Sequence, residues 1–352
     1  MGLFGLFKKE KEPVVVAQQR DNSDVVPIKQ RIKGKQPTCD GLYPHEVLVL
    51  SYADKYCESG NDFPGFWWYK YGIKDVQSVL KSLESRGYIE KGGIEAAINL
   101  EKLSTIKDFL QKNGLKSSGK KAELISRLIE GVPESVLATA FPRVPYVFTP
   151  SGEQILKKYE WIPFIHSHAI EDLDIWNLTE RVQTPPYTKY RDKIWSYLNE
   201  RSIAYAKARD FGLYRNTRFE MSEFVTTEGK DDLAFKLLCE VIAYDLSGLS
   251  NNFNPQYLYM QTKFFFPYES SIITVAPGII SRVSKIQEKQ GWDEKELRSN
   301  LLSGVSIPIP YRVFTPEECV EIVVAETKQD KTKLSKLYAA AEKKFKREHP
   351  AR

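Results

Sequence analysis

The sequence predicts a mainly α-helical, multidomain protein with only a few short strands. Apolar residues recur at i, i+3, i+4 and i+7 along most of the chain, the period of helices with one buried face. Strand-like runs are short and follow a glycine or a proline–tyrosine pair. At 352 residues the chain can hold two or three domains, and 42% apolar residues suffice for their cores.

Residues 1–40 are polar, charged and without periodicity, and are expected to form a basic mobile N-terminal arm, with order starting near Tyr43. The opening MGLFGLFKKEKE is not patterned as a secretory signal, because its apolar stretch precedes the lysines and is too short. Leu6 stands where N-myristoylation needs serine or threonine. Pro44 to Tyr56 predicts a helix opened by proline at its first position, with Val47, Leu48, Leu50 and Tyr52 inward. Val76, Val79, Leu80 and Leu83 form the next stripe, which Arg86-Gly87 ends and Tyr88-Ile89 follows as a strand. That order resembles the third helix and wing of a winged-helix unit. The matching return strand comes only at Pro145–Leu156, so residues 41–99 with 140–159 are expected to form this unit, with a helical hairpin inserted in its wing. The alternative is an unrelated helical layer, since helix–glycine–strand is a common transition.

Residues 100–139 hold the inserted hairpin, whose centre is LSTIKDFLQKNGLKSSGKKAELISRL, Leu103 to Leu128. Leu103, Ile106, Phe109 and Leu110 give one apolar face, and Asn113-Gly114 stops that helix. Ser117 and Ser118 are candidate caps for a second helix that buries Leu124, Ile125 and Leu128. The positions Gly114-Leu115, Ser118-Gly119, Lys121, Glu123-Leu124-Ile125 and Arg127-Leu128 closely resemble the SAP module, a helix–extension–helix DNA-binding unit. The resemblance covers about a tenth of the chain. It implies binding to the backbone of double-stranded DNA, often with a preference for A·T-rich tracts. The expected contacts are Lys120, Lys121 and the amides around Ser117, Ser118 and Gly119, supported by Lys116 and by Arg127, which could instead brace the hairpin. Related hairpins of similar spacing bind proteins, so an adaptor role is the alternative.

Charge is concentrated in islands. Residues 1–40 hold eight Lys/Arg against five Asp/Glu, residues 101–131 seven against four, and residues 328–352 nine against three, while the remainder is acidic. Such islands argue for local polyanion contacts. Residues 160–327 are expected to be a mainly helical domain, with helices at Tyr190–Ala208, Gly229–Ser247, Pro277–Gln290 and Asp293–Ser303. Their core is read as Trp195, Leu198, Ile203, Tyr205, Phe235, Leu238, Ile242 and Leu246, with Phe219–Thr227 a strand or extended loop. Val147-Phe148-Thr149-Pro150 recurs as Val313-Phe314-Thr315-Pro316, each read as a short strand feeding a helix capped by threonine. Residues 328–352 form a basic C-terminal helix with Leu334, Leu337, Ala341 and Phe345 on one side. It reads as a docking helix with a solvated basic face or as a second phosphate-contacting element.

Catalytic signatures are absent from the sequence: it has no phosphate loop, nucleophile elbow or HExxH. Cys39, Cys57, Cys239 and Cys319 form no CxxC and suit a reducing compartment, and Cys39, His45 and Cys57 lack a fourth metal ligand. His166 and His168, with Asp172 and Asp174, would share a face on a strand and bind a metal, or are a surface pair. Glu228-Gly229-Lys230, after Glu220 and Glu223, matches the acid-x-lysine of metal-dependent nucleases, yet Asp293, Glu326 and Glu342 start the same triplet. The expectation is therefore a non-enzymatic DNA-binding protein without cofactor. Its helical part is expected to bind a protein partner or a second copy of itself. No membrane contact is expected, and the setting is cytoplasmic, or nuclear in a eukaryote.

Overall fold

The computed structural model describes residues 25–253 and 255–350, which divide into two compact units between His166 and Ser167. It is mainly helical. Among the described residues the sheet is one two-stranded antiparallel ladder, with an isolated bridge between Cys57 and Pro145.

In the first unit, α1 (Ile28–Arg31), α2 (Pro44–Leu50), α3 (Phe66–Tyr69) and α4 (Val76–Ser85) lead into β1 (Ile89–Lys91). Then come α5 (Ile94–Leu100), α6 (Leu103–Lys112), α7 (Lys121–Gly131) and α8 (Glu134–Ala140), followed by β2 (Tyr146–Phe148), α9 (Pro150–Lys158) and α10 (Trp161–Ser167). Proline opens α2, which buries Val47, Leu48 and Leu50 completely. The Asp75 carboxylate accepts from the Ser78 amide to start α4, and Val76, Leu80 and Leu83 are its buried stripe. Gly87, at φ +77°, turns the chain by accepting the left-handed conformation that a side chain resists.

The strand that follows pairs Ile89 with Phe148, Glu90 with Val147 and Lys91 with Tyr146. One more bond, from the Gly92 amide to the Pro145 carbonyl at 2.7 Å, extends the ladder. The helices α5 to α8 thus leave and re-enter the chain side by side. Thr149 caps α9 by accepting from the Gly152 amide, and its hydroxyl donates to the Gly87 carbonyl at 2.7 Å. A Cβ on Gly152 would lie 2.0 Å from the Tyr88 carbonyl oxygen, so only glycine lets α9 sit on the start of β1.

Several expectations change in this unit. Residues 1–24 of the expected mobile arm lie outside the described residues. Among the described residues helical order begins at Ile28 rather than near Tyr43, and the Ile28 amide donates to the Gly72 carbonyl at 2.9 Å. The helix expected over Pro44–Tyr56 stops at Leu50, and a 3-10 turn covers Ala53–Lys55. His166 lies in the last turn of α10 and is not on a strand. Its ring nitrogens meet the hydroxyls of Tyr52 and Tyr71, which spends its hydrogen-bonding capacity inside the unit.

The second unit comprises α11 (Ile175–Val182), α12 (Tyr190–Ala208), α13 (Phe211–Thr226), α14 (Asp231–Ser247), α15 (Thr262–Phe265), α16 (Pro277–Gln290), α17 (Glu294–Val305), α18 (Pro316–Thr327) and α19 (Lys331–Glu348). Helix α14 is its centre, packed on α13, α16, α17 and α18 and burying Phe235, Leu238, Ile242 and Leu246. Phe219–Thr226 lies in α13 rather than in a strand: Thr217, Met221, Phe224 and Val225 repeat at helical period and are all buried. Ile203 is 55% exposed, because the buried stripe of α12 runs through Ile194, Tyr197, Leu198 and Ser202; Trp195 and Tyr205 are only half-buried. The second Val-Phe-Thr-Pro copy caps α18 through Thr315, with Glu318 closing the box, but no strand precedes it. Pro308 and Pro310 remove the amides a ladder would need.

Candidate nucleic-acid interface

Helices α5 to α8 enclose a small core of their own. Ala97, Ile98, Ile106, Leu110, Leu124, Ile125, Leu128, Val132, Leu137 and Phe141 are buried together, with Ile94, Phe109 and Leu115 around them. Helix α6 ends in a Schellman arrangement: the Gly114 amide donates to Gln111 and the Leu115 amide to Leu110, with Gly114 at φ +69°. Leu115 then packs into the core, where Gly131 makes room, since a Cβ there would come within 2.9 Å of Leu115 Cδ1. Leu103, expected on the buried face, is 42% exposed, because it opens the helix ahead of the packed turn.

Between Leu115 and α7 runs an extended segment that holds most of the expected contact residues. The Arg127 guanidinium reaches back from α7, and its Nη1 donates to the carbonyls of Lys116 at 2.5 Å and Ser118 at 3.2 Å. Arg127 is therefore the brace of the two roles open to it. Gly119 has φ +134°, and a Cβ there would meet the Glu123 carboxylate at 2.6 Å. Lys120 caps α7 with its backbone, its amide donating to Glu123 Oε2 at 3.2 Å. The serines do not cap. Ser117 accepts from the Gln111 side-chain amide and Ser118 lies two residues before the cap, because the glycine bend delays the helix start.

Lys116, Ser118, Gly119 and Lys120 are exposed, whereas Ser117, Lys121 and Arg127 are half-buried. Lys121 differs from its neighbour in another way: its ammonium donates to the Asn99 carbonyl at 2.5 Å, tying α7 to the end of α5. Of the expected contacts, the exposed cations are thus Lys116 and Lys120, beside the N-terminus of an eleven-residue helix whose first amides lack intrahelical acceptors. On the other flank of α7, a groove of about 950 Å³ runs between Lys121, Ile129 and Glu134 and the ladder residues Glu90 and Val147. Its mixed charges favour no single ligand.

The other sequence candidates belong to other elements. Glu228 and Lys230 sit in the turn between α13 and α14, Glu228 pairing with Lys230 at 2.7 Å and Arg191 at 3.2 Å. Burial pushes the Glu228 carboxyl up, but hydrogen bonds and charge from Lys230 and Arg191 outweigh it and hold it below its usual range. Glu223 pairs with Arg282. Glu220 is raised by burial to about 7, although it accepts from the Glu171 amide. Burial, with the charges of Lys70 and Lys55, lowers His166 to about 4, and burial does the same to His45. Among the described residues no three His, Cys, Asp or Glu side chains gather as metal ligands. None of their helices is long and apolar enough to cross a membrane.

The family model of the SAP domain matches residues 102–130, the stretch that folds as α6, the braced extension and α7. That match supports a DNA-binding module in general. No curated protein and no solved structure matches the chain.

Proposed function

We propose that this chain is a non-enzymatic protein that grips the phosphate backbone of double-stranded DNA through residues 102–130. One observation carries the reading: Arg127 engages the carbonyl oxygens of Lys116 and Ser118 and the Lys120 amide holds the Glu123 carboxylate, which leaves the Lys116 and Lys120 ammonium groups exposed at the bend beside Gly119. A phosphate there gains from Lys116, Lys120 and the positive end of the α7 dipole. Contacts of this kind set position on a duplex and read little sequence. The surrounding part of the first unit serves as the scaffold, a winged-helix-like layer whose wing carries the module; the antiparallel pairing of β1 with β2 supports this. The second unit supplies partner binding or self-association, for which exposed Tyr257, Met260, Phe264 and Ile272 are the supporting feature. The setting is intracellular, wherever duplex DNA is found.

Duplex titration at several salt concentrations tests this. Log K should fall linearly with log salt, at about 0.9 per phosphate neutralised. Lys116→Gln with Lys120→Gln should flatten the slope by roughly two units at unchanged melting temperature. Lys121→Gln should change it less, since that ammonium is already engaged by Asn99. Absence of salt-dependent binding would favour a protein-binding adaptor. Magnesium-dependent loss of the duplex, abolished by Glu228→Gln, would make the protein a nuclease.

A further inference from the structure

Helix α19 carries a second cationic surface, in the unit that the family match does not touch. Its buried face is Leu334, Tyr338, Ala341 and Phe345. At 100° per residue, Lys336, Lys343 and Arg347 lie within about 20° of one line on the opposite side, with Lys344 flanking. All four are exposed, and Ala339 and Ala340 between them leave the stripe smooth. Lysines nearer the unit's surface acids are spoken for: Lys333 pairs with Glu321 and Lys328 with Glu294. Among the described residues no carboxylate pairs with Lys336, Lys343, Lys344 or Arg347.

We propose that this stripe is a second site for the phosphate backbone of duplex DNA, separate from the α6–α7 module. The 1.5 Å helical rise sets the three in-line cations roughly 10 and 6 Å apart along the axis. Each strand of a duplex offers a phosphate about every 3.4 Å of its axis, so each cation can find one. Compensation of the helix dipole accounts for Lys346 and Arg347 in the last turn, but not for Lys336 and Lys343. An anionic membrane is a poorer fit. Interfacial helices insert an apolar face beneath their basic one, and the apolar face of α19 is already buried in protein.

The inference adds to the reading above without depending on the same residues, and the test keeps them apart. Full-length protein is titrated with a long duplex over a salt series, as wild type, as Lys116→Gln/Lys120→Gln, as Lys336→Gln/Lys343→Gln/Arg347→Gln, and with all five changes. Thermal melts verify folding, which exposed glutamines should leave unchanged. The α19 variant is expected to flatten the salt slope by roughly two to three units. In the hairpin-variant background it should abolish the binding that remains. An unchanged slope for the α19 variant, beside a flattened one for the hairpin variant, overturns the second site and leaves the first. The reverse pattern upholds the second site and removes the first. Binding of wild type to anionic vesicles but not to duplex, lost in the α19 variant, also overturns it.

Discussion

Arg127 joins the extension to α7 through a single side chain. Its Nη1 donates two hydrogen bonds, and both go to backbone carbonyls of a segment with no regular structure of its own. Arg127→Lys is expected to lower stability by about 1 kcal/mol, the charged hydrogen bonds being discounted for partial exposure. It should also accelerate amide exchange over residues 116–119, which hydrogen exchange would read. Lys116→Gln should do neither, while weakening binding. Gly119 is the second such position. Gly119→Ala should cost roughly 1–3 kcal/mol in a urea titration, because φ +134° strains any side chain.

Helix ends decide the behaviour of whole elements. Gly114 and Gly87 each close a helix in the left-handed conformation, and Gly152 lets α9 rest on the Tyr88 carbonyl. Gly152→Ala should destabilise by roughly 1–3 kcal/mol or more through overpacking, with the loss centred on the β1–β2 ladder in exchange measurements. These ends were legible in the sequence wherever a glycine, or a threonine before proline, stood at the right offset. Pro277–Gln290 matches its expected limits for that reason, with Pro277 at its start and Gly291 at its end, while Tyr190–Ala208 matches although Arg209, not a glycine, takes the left-handed position after it. Legibility failed where chemistry is set by distant groups. The β-branched run Val225-Thr226-Thr227 looks strand-like locally, yet the packing of α13 on α14 overrides it. Nothing near Lys121 in sequence announces that Asn99 will take its ammonium, twenty-two positions away. Lys116 and Lys120 as the exposed pair therefore emerge only in three dimensions.

For the whole molecule, acidity should act on the two units with opposite sign. His45 and His166 have folded pKa values near 4, below the ordinary 6.5, so the unfolded chain takes up protons first. The first unit should lose stability as pH falls from about 6.5 towards 4, by up to ~1.4 kcal/mol per pH unit for buried His45. Glu220 runs the other way. Its folded pKa near 7 exceeds the ordinary 4.5, so its contribution is full below 4.5 and lost as pH rises through 7. Urea midpoints of the two units, followed between pH 7 and 5, should move apart. Glu220→Gln should remove the trend in the second unit, and His45→Gln should reduce it in the first.

The ladder that carries α5 to α8 has a mechanical corollary. Tension applied to those helices enters the scaffold at one end, where Gly92 and Pro145 stand opposite each other. Loading a pair of antiparallel strands from that end peels their bonds in succession instead of shearing them together. Pulled in this way, the ladder opens one pair at a time, from Gly92 and Pro145 towards Ile89 and Phe148.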